Sequence, residues 1–513
     1  MLNTSTYGAL FRFRSLPLAA ICGGAGVLGF APFGYYPVLI AMLAVLLVLW
    51  RRADSPRHAA YIGFVFGLGF FLSGVSWVYV SLHDFGAMPA VLAAFLTLLF
   101  CCILAAYPAI IGYLYRSLTL SPAFGAILVV PALWTIADWV RGWLFTGFPW
   151  LALGYSQVPA SPLAGYVPVI GVYGATFIIA LSASLLVMLL SPALTVRRWP
   201  WFGVLVLIWL AGYGLRQVEW TSPVGAPVSV SLLQGNIPQD LKWQPNRVAP
   251  TLKAYQDLVT ASHAKLVVLP ETALPLFLHE VPQDYLDTLA AHARSNGGDV
   301  LVGVPELTSS RDYYNSVQSF GMAPSQTYRK SHLVPFGEFI PLKPLFGWFF
   351  DVVQIPLLDF SRGAHTQQPL DVAGQRVAVN VCYEDVFGAE IIRQLPEASL
   401  LVNVSNVAWF GRSVAPRQHM QISQTRALET GRYMLRATNT GMTAIIDQRG
   451  EVIKAAPEFE RATVNGEVQG YAGATPFVRW GNFPIVAFSL LLVLSAGWLA
   501  RRGTSKIRDL PIA

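Results

Sequence analysis

The stretch RVAVNVCYEDVFG, residues 376–388, joins a run of apolar residues rich in valine to a cysteine, an aromatic and two acids. A short continuous apolar run of this kind reads as a strand buried on both faces of an α/β sheet. Cys382 stands at its carboxyl end, with a helix expected from about Phe387. The carboxyl ends of such strands are where α/β sheets present chemistry, and N–H groups at a helix N-terminus favour a thiolate over a thiol. Cys382 is therefore a candidate nucleophile. The competing reading is that a lone cysteine after a strand is merely packed.

The same pattern recurs around it. VSVSLL (228–233), KLVVLP (265–270), VLVGVP (300–305), SLLVNV (399–404) and TAIID (443–447) are further strand-like runs, with helix-like stretches at 284–295 and 418–432 between them. Apolar strands alternating with amphipathic helices predict a sheet covered by helices, so residues 217–475 read as an α/β domain.

The rest of the chain is of another kind. Of the 513 residues, 54% are hydrophobic and 12% charged, and the mean hydropathy is +0.50. Soluble domains carry about 25% charged residues, so this is a membrane protein. Seven apolar stretches near the length of a span precede the α/β domain, at 16–33, 36–50, 59–82, 87–115, 123–143, 165–190 and 199–215, and an eighth follows at 477–500. The organisation expected is a seven-helix membrane domain over 1–216, the α/β domain, and a last membrane helix with a tail over 476–513. Cys22, Cys101 and Cys102 lie in these apolar stretches and read as small buried hydrophobes. Four cysteines are too few for a disulfide framework.

Charge sets the expected orientation. Arg12 and Arg14 precede the first stretch, Arg51, Arg52 and Arg57 follow the second, Arg116 the fourth, Arg197 and Arg198 the sixth, and Arg501 and Arg502 the eighth. Alternate loops hold almost no Lys or Arg. The positive-inside rule then puts both termini in the cytoplasm and residues 217–475 on the far side. The net charge of +7 is accounted for by topology. No basic patch interleaved with aromatics speaks for nucleic acid, and no metal spacing or phosphate loop appears.

Two further stretches bear on Cys382. VVLPETALP places Glu271 just past the strand at 265–270, and YRKSHLVPFGEFIP carries Lys330 and Glu338 in a segment broken by Pro and Gly. An acid, an amine and a thiol at the rim of one sheet have complementary roles: the carboxylate takes the thiol proton, the thiolate attacks a carbonyl, and the ammonium stabilises the oxyanion. Each charged residue taken alone reads equally as a solvated surface group.

A strand ending in Pro-Glu, the KSHLVPFGEF loop and a strand ending in Cys-Tyr-Glu together resemble the Glu-Lys-Cys triad of the nitrilase superfamily. With seven apolar stretches before and one after, the chain resembles the bacterial apolipoprotein N-acyltransferases. QGNIPQDLKW (234–243), YYNSVQSFG (313–321), AWFGRSVAPRQH (408–419), TRALETGRYMLRATNTG (425–441) and TGFPWLALGYSQ (146–157) extend the likeness along nearly the whole chain. The resemblance implies an α-β-β-α sandwich with Glu271 as general base, Lys330 as triad lysine and Cys382 as nucleophile. It implies supporting roles for Glu338, Tyr383, Glu384 and Asn315, and substrate contacts for Trp243, Trp409 and Trp150. Where relatives are expected to carry an acid before Ala-Trp-Phe, this chain has Val407.

Other readings stay open for several of these residues. Trp243 and Trp409 could be interfacial aromatics. Glu338 and Glu384 could be ion-pair partners of Lys330. Asp138 could be functional as an intramembrane acid or could simply pair with Arg141 one helical turn on. The activity implied is transfer of a fatty acyl chain from a phospholipid, through a Cys382 thioester, to the α-amino group of an S-diacylglyceryl cysteine on a lipoprotein. It needs no cofactor or metal, and a monomer in the bacterial inner membrane is expected. A membrane-tethered amidase or nitrilase would use the same triad. A transporter with an external binding domain is the third reading, but the membrane stretches hold few ionisable groups.

Overall fold

The computed structural model describes residues 4–118, 125–190, 198–342, 344 and 359–508, and these form two compact units. Arg197 and the first two residues of the stretch 123–143 lie outside the described residues.

One unit draws on Met1–Ser76, Ala94–Val218 and Trp480–Ala513 and is helical. Pro56–Val75, Ala90–Leu118, Pro162–Leu190 and Phe483–Arg502 are long and apolar enough to cross a membrane. The sequence led to an expectation of eight spans. Among the described residues the remaining stretches form shorter or less apolar helices: Tyr36–Arg52 has 17 residues and Val130–Arg141 has 12. Close helix approach in this unit depends on small residues. A Cβ on Gly63 would strike the backbone of Pro108, and one on Gly67 would sit 2.8 Å from Ala105 Cα.

The expected third stretch ended at residue 82, but its helix closes at Val75. Val78–Val80 form a separate short helix, and Ser81–Phe85 form a single wide turn. The segment Trp77–Ala93 belongs to the second unit, with Glu219–Arg479.

That second unit is built on two six-stranded sheets. The first runs β12-β1-β2-β3-β4-β5 and the second β11-β10-β9-β8-β7-β6. In chain order the strands are β1 Ser222–Gln234, β2 Leu266–Val268, β3 Asp299–Leu307, β4 Tyr313–Gly321, β5 Thr327–Arg329, β6 Leu370–Val372, β7 Gln375–Val381, β8 Leu400–Ser405, β9 Met434–Thr438, β10 Ala444–Ile446, β11 Val452–Ala455 and β12 Ala462–Ala472. The central pairs β1–β2, β2–β3, β7–β8 and β8–β9 are parallel, the others antiparallel. Each of the six strand-like runs read from the sequence overlaps a strand, the run 265–270 only over Leu266–Val268.

Strand side chains alternate between faces, and that period assembles three layers of core. Val230, Leu232, Leu266, Val268 and Leu301 of the first sheet meet Val377, Val379, Val381, Val402 and Leu435 of the second. On the outer face of the first sheet, Val267, Val300 and Val302 pack with Tyr255, Val259, Leu286 and Leu289 from the helices Pro245–Thr260 and Gln283–Ser295. Across the second sheet, Ala378, Leu401 and Met434 pack with Met420 and Ala427 of the helix Ala415–Thr430. The result is a layered α-β-β-α arrangement. Strands buried on both faces explain why the central runs are apolar without interruption.

Candidate active site

β7 ends at Val381, and Cys382 follows with φ +53. This left-handed conformation costs a side-chain-bearing residue about 1–2 kcal/mol, so neighbouring bonds must hold it. Asn403 Nδ2 of β8 donates to the Cys382 carbonyl at 3.1 Å. One residue back, the Val381 N–H donates to Glu384 Oε2 at 2.7 Å. The helix expected from Phe387 proves different: a 3-10 turn starts at Cys382 itself, and the α-helix behind it is only Gly388–Ile391. No long helix points its N-terminus at the sulfur. Burial, reinforced by the charges of Glu271 and Glu338, pushes the thiol pKa up against the pull of Lys330 and Arg436. The resting group is a thiol.

Glu384 ties this turn to the loop after β5. Its carboxylate accepts from Ser331 N (2.7 Å), His332 N (3.1 Å), Ser331 Oγ (3.0 Å) and Tyr328 Oη (3.0 Å). Burial raises its pKa, while the Val381, His332 and Ser331 backbone donors oppose that rise. Glu384 is thus a linchpin of backbone rather than the partner of Lys330 that the sequence left open. Glu338 is that partner.

Lys330 follows β5, and its main-chain N–H donates to Asn315 O at 2.8 Å. Its side chain is 1% exposed. Nζ stands 2.8 Å from the Glu338 carboxylate and 3.6 Å from Glu271 Oε1. Burial works against the ammonium, but the charges of Glu338 and Glu271 outweigh it and raise its pKa.

Glu271 lies three residues past β2. Asn315 Nδ2 donates to its Oε1 at 2.7 Å and to Glu338 Oε1 at 3.0 Å, and the Asn406 N–H donates to its Oε2 at 2.8 Å. One amide side chain on β4 therefore holds both acids. Gly303 on β3 lies beneath this turn, where a Cβ would collide with the backbone of Pro270 and Glu271.

The aromatic candidates divide. Tyr383 meets Phe387 edge-on at 5.1 Å, and Phe387 stacks on His332 at 3.7 Å. Trp243 is half-buried beneath the Lys242 ammonium, 5.7 Å from its ring centroid. Ser81 Oγ donates to the Trp409 carbonyl at 2.9 Å, and the Trp409 ring lies 6.3 Å from that of Phe85. Val407, where an acid was anticipated, is 1% exposed. Trp150 belongs to the helical unit, is 1% exposed and stacks on Phe148, so it presents no open face to a substrate. Asp138 and Arg141 pair at 2.8 Å in that unit, and Arg141 also donates to the carbonyls of Phe148 and Trp150. The plain helical pair is the one found, and it braces the loop 146–157.

Sequence reasoning passed over two groups. His419 bonds Asp385 through Nε2 at 2.6 Å, and Arg436 Nη1 reaches Asp385 Oδ2 at 3.1 Å and Asn403 Oδ1 at 2.8 Å. This buried cluster lies behind the Cys382 turn through Asn403. Lys242 is the other, and only its place beside Trp243 could have drawn attention to it. Among the described residues no group of three His, Cys, Asp or Glu could hold a metal.

Two family models match the chain. Residues 22–185 match the apolipoprotein N-acyltransferase N-terminal domain, and residues 229–477 match carbon-nitrogen hydrolase. An apolipoprotein N-acyltransferase of Nitrosomonas europaea is 56% identical over 96% of this chain and 99% of its own length. The protein of that name from Chromobacterium violaceum is 45% identical over 98% and 97%, and that from Methylococcus capsulatus 47% identical over 91% and 93%. The chain belongs to the apolipoprotein N-acyltransferase family.

Proposed function

We propose that the protein N-acylates lipoproteins, moving a fatty acyl chain from a phospholipid of the phosphatidylethanolamine type to the α-amino group of an N-terminal S-diacylglyceryl cysteine. The observation that carries the catalytic assignment is the position of Lys330 Nζ, 2.8 Å from Glu338 and 3.6 Å from Glu271, where both carboxylates and the ammonium act on the Cys382 thiol.

In the first half-reaction Glu271 takes the Cys382 proton as Sγ attacks the ester carbonyl. Lys330 faces the oxyanion that develops, a placement that gains its value in a dry site. The carbon–oxygen bond to glycerol then breaks, Glu271 returns the proton to the leaving oxygen, and a lysophospholipid departs. In the second, the lipoprotein amine attacks the thioester, Glu271 takes the amine proton, the carbon–sulfur bond breaks and the thiolate regains a proton. A high resting thiol pKa suits this sequence, because the proton leaves only when the nucleophile is used. Asn315, Glu338 and Glu384 hold the reacting groups, Tyr383 stiffens the Cys382 turn, and Trp243 and Trp409 line the approach.

Both substrates are lipid-anchored, and each acyl chain contributes about 0.8 kcal/mol per buried CH₂, so the exchange takes place at the membrane. The distribution of Arg51, Arg52, Arg57, Arg116 and Arg198 supports cytoplasmic termini and a periplasmic catalytic domain over 217–475; we propose a monomer in the bacterial inner membrane.

The test is direct. Purified protein is incubated with fluorescent phosphatidylethanolamine and a diacylated lipopeptide, and the label is followed to lysophospholipid, protein and peptide. The label passes to the peptide amine by way of a Cys382-containing peptide. If water alone accepts the acyl group, the tethered-amidase reading replaces this one.

A further inference from the structure

Glu271 is held on its carboxylate side by Asn315, Asn406 and Lys330, but its main chain is held by a different residue. Lys242 lies in the turn after β1 and is 2% exposed. Its Nζ donates to Thr272 Oγ1 at 2.5 Å and to the Glu271 carbonyl at 3.5 Å, and faces the Trp243 ring at 5.7 Å. Thr272 has φ +44, a region that β-branched residues avoid. The strained residue directly after Glu271 is thus pinned from one side by a buried ammonium. On the other side is Gly303, whose missing Cβ leaves room for the turn.

A buried charge is normally paired with an opposite one. Among the described residues no carboxylate forms an ion pair with Lys242, and the charge that acts on it is that of Glu271. Burial lowers the Lys242 pKa to about 8, with Glu271 opposing the fall. The attraction is between opposite charges and acts on both partners. Lys330 Nζ acts on the Glu271 carboxylate directly at 3.6 Å, so Lys242 adds a second positive charge from the main-chain side.

We infer that Lys242 is a positioning residue for the base, clamping the Glu271–Thr272 turn and lending Glu271 a second positive charge that keeps it ready to take a proton. The inference rests on the reading of Glu271 as base. Within it, Lys242 adds positive charge near the base, and Thr272 is the contact through which it acts on geometry. The groups facing Lys242 are Glu271, Thr272 and Trp243, and of these only Glu271 carries an opposite charge; Glu271 itself also faces Lys330 and, through Asn315, Glu338.

The experiment is single-turnover acylation of Cys382 by phosphatidylethanolamine in the full-length protein, followed by mass spectrometry across about pH 5 to 9. Lys242→Met should slow acylation about tenfold or more at neutral pH, part of the ~10² to 10⁴ that a positioned proton-transfer group contributes. Its acid limb should move upward by about one pH unit, as expected on losing a nearby opposite charge. Thr272→Val keeps the shape and the charge but loses the hydroxyl. It should slow acylation about tenfold with its acid limb close to the parent's, and it carries the test if Lys242→Met does not accumulate. A Lys242→Met profile superimposed on the parent's, or slowed with an unmoved acid limb, overturns the inference, as does a Thr272→Val protein that acylates at the parent rate. Glu271→Gln run in parallel separates the two readings. If it acylates normally the base assignment falls; if it is silent while Lys242→Met behaves as the parent, only the role of Lys242 falls.

Discussion

Lys330 Nζ lies 3.6 Å from Glu271 Oε1, close enough for strong attraction and too far for a full hydrogen bond. The short contact of Lys330 is with Glu338, at 2.8 Å. Lys330 is thus shared unequally between the two acids, while the Glu271 oxygens take their short hydrogen bonds from Asn315 and the Asn406 N–H. The unequal sharing also separates two kinds of mutant.

Glu338→Ala removes the close counter-ion of a lysine that is 1% exposed. Breaking one side of a buried pair typically costs about 3–5 kcal/mol. The variant should unfold several degrees lower in detergent, with acylation of Cys382 reduced in the fraction that stays folded. Differential scanning fluorimetry beside the acylation assay checks this. An unchanged melting temperature would mean that Glu271 alone satisfies Lys330.

The φ of +53 at Cys382 makes an opposing prediction. Cys382→Gly should abolish acyl transfer and yet raise stability by about 1 kcal/mol, since glycine enters the left-handed region without the Cβ penalty. Cys382→Ala should be equally inactive without that gain. A Cys382→Gly protein less stable than Cys382→Ala would show that the turn carries no strain.

Much of this arrangement could be anticipated from the chain, and the exceptions have physical causes. Glu271 and Cys382 stood out because each follows a valine-rich run that forms a buried parallel strand. Lys330 was picked out by its KSHLVPFGEF segment, since the β5 strand before it is only Thr327–Arg329 and pairs antiparallel. β4, β9 and β12 did not stand out. β4 buries Asn315, Ser316, Gln318 and Ser319, and β9 buries Arg436, so polarity disguises their burial. β12 alternates with solvent and carries two glycines. Residues 59–82 read as one apolar span, yet the helix ends at Val75 and Val78–Val80 form a separate short helix, because a hydropathy window registers composition and not a local break in the backbone. Lys242 and His419 were missed for a common reason: their partners, Thr272 and Asp385, are distant in sequence or chemically unremarkable.

The Asp138–Arg141 pair makes a prediction in the helical unit. Asp138 Oδ2 also accepts from Leu153 N at 3.1 Å and Thr176 Oγ1 at 3.0 Å, so one carboxylate fastens the loop 146–157 to two helices. Asp138→Asn leaves a buried guanidinium without its counter-charge and should cost about 3–5 kcal/mol. Thr176→Val removes one neutral donor and should cost about 1 kcal/mol. Thermal unfolding of both variants in the same detergent gives the comparison, and equal losses would argue against a charge-centred role.

The cluster behind the nucleophile predicts how stability depends on pH. His419 is 1% exposed, and burial together with the Arg436 charge lowers its pKa below the ordinary 6.5, against the pull of Asp385. In the unfolded chain the ring is free to take up a proton near that ordinary value. Below about pH 6.5 the unfolded state therefore binds more protons than the folded one, and stability falls as the pH falls. Asp385 acts in the same direction at lower pH. Its burial opposes the charge, but His419, Arg436 and Ser423 hold its pKa below the ordinary 3.8, so the stability it confers is lost as the pH drops through that range. His419→Gln should flatten the first of these losses, between about pH 6.5 and 5, and leave the second in place. Melting temperatures of parent and variant across that window decide the matter: parallel curves would mean that His419 does not titrate on unfolding, and that the acid sensitivity arises elsewhere.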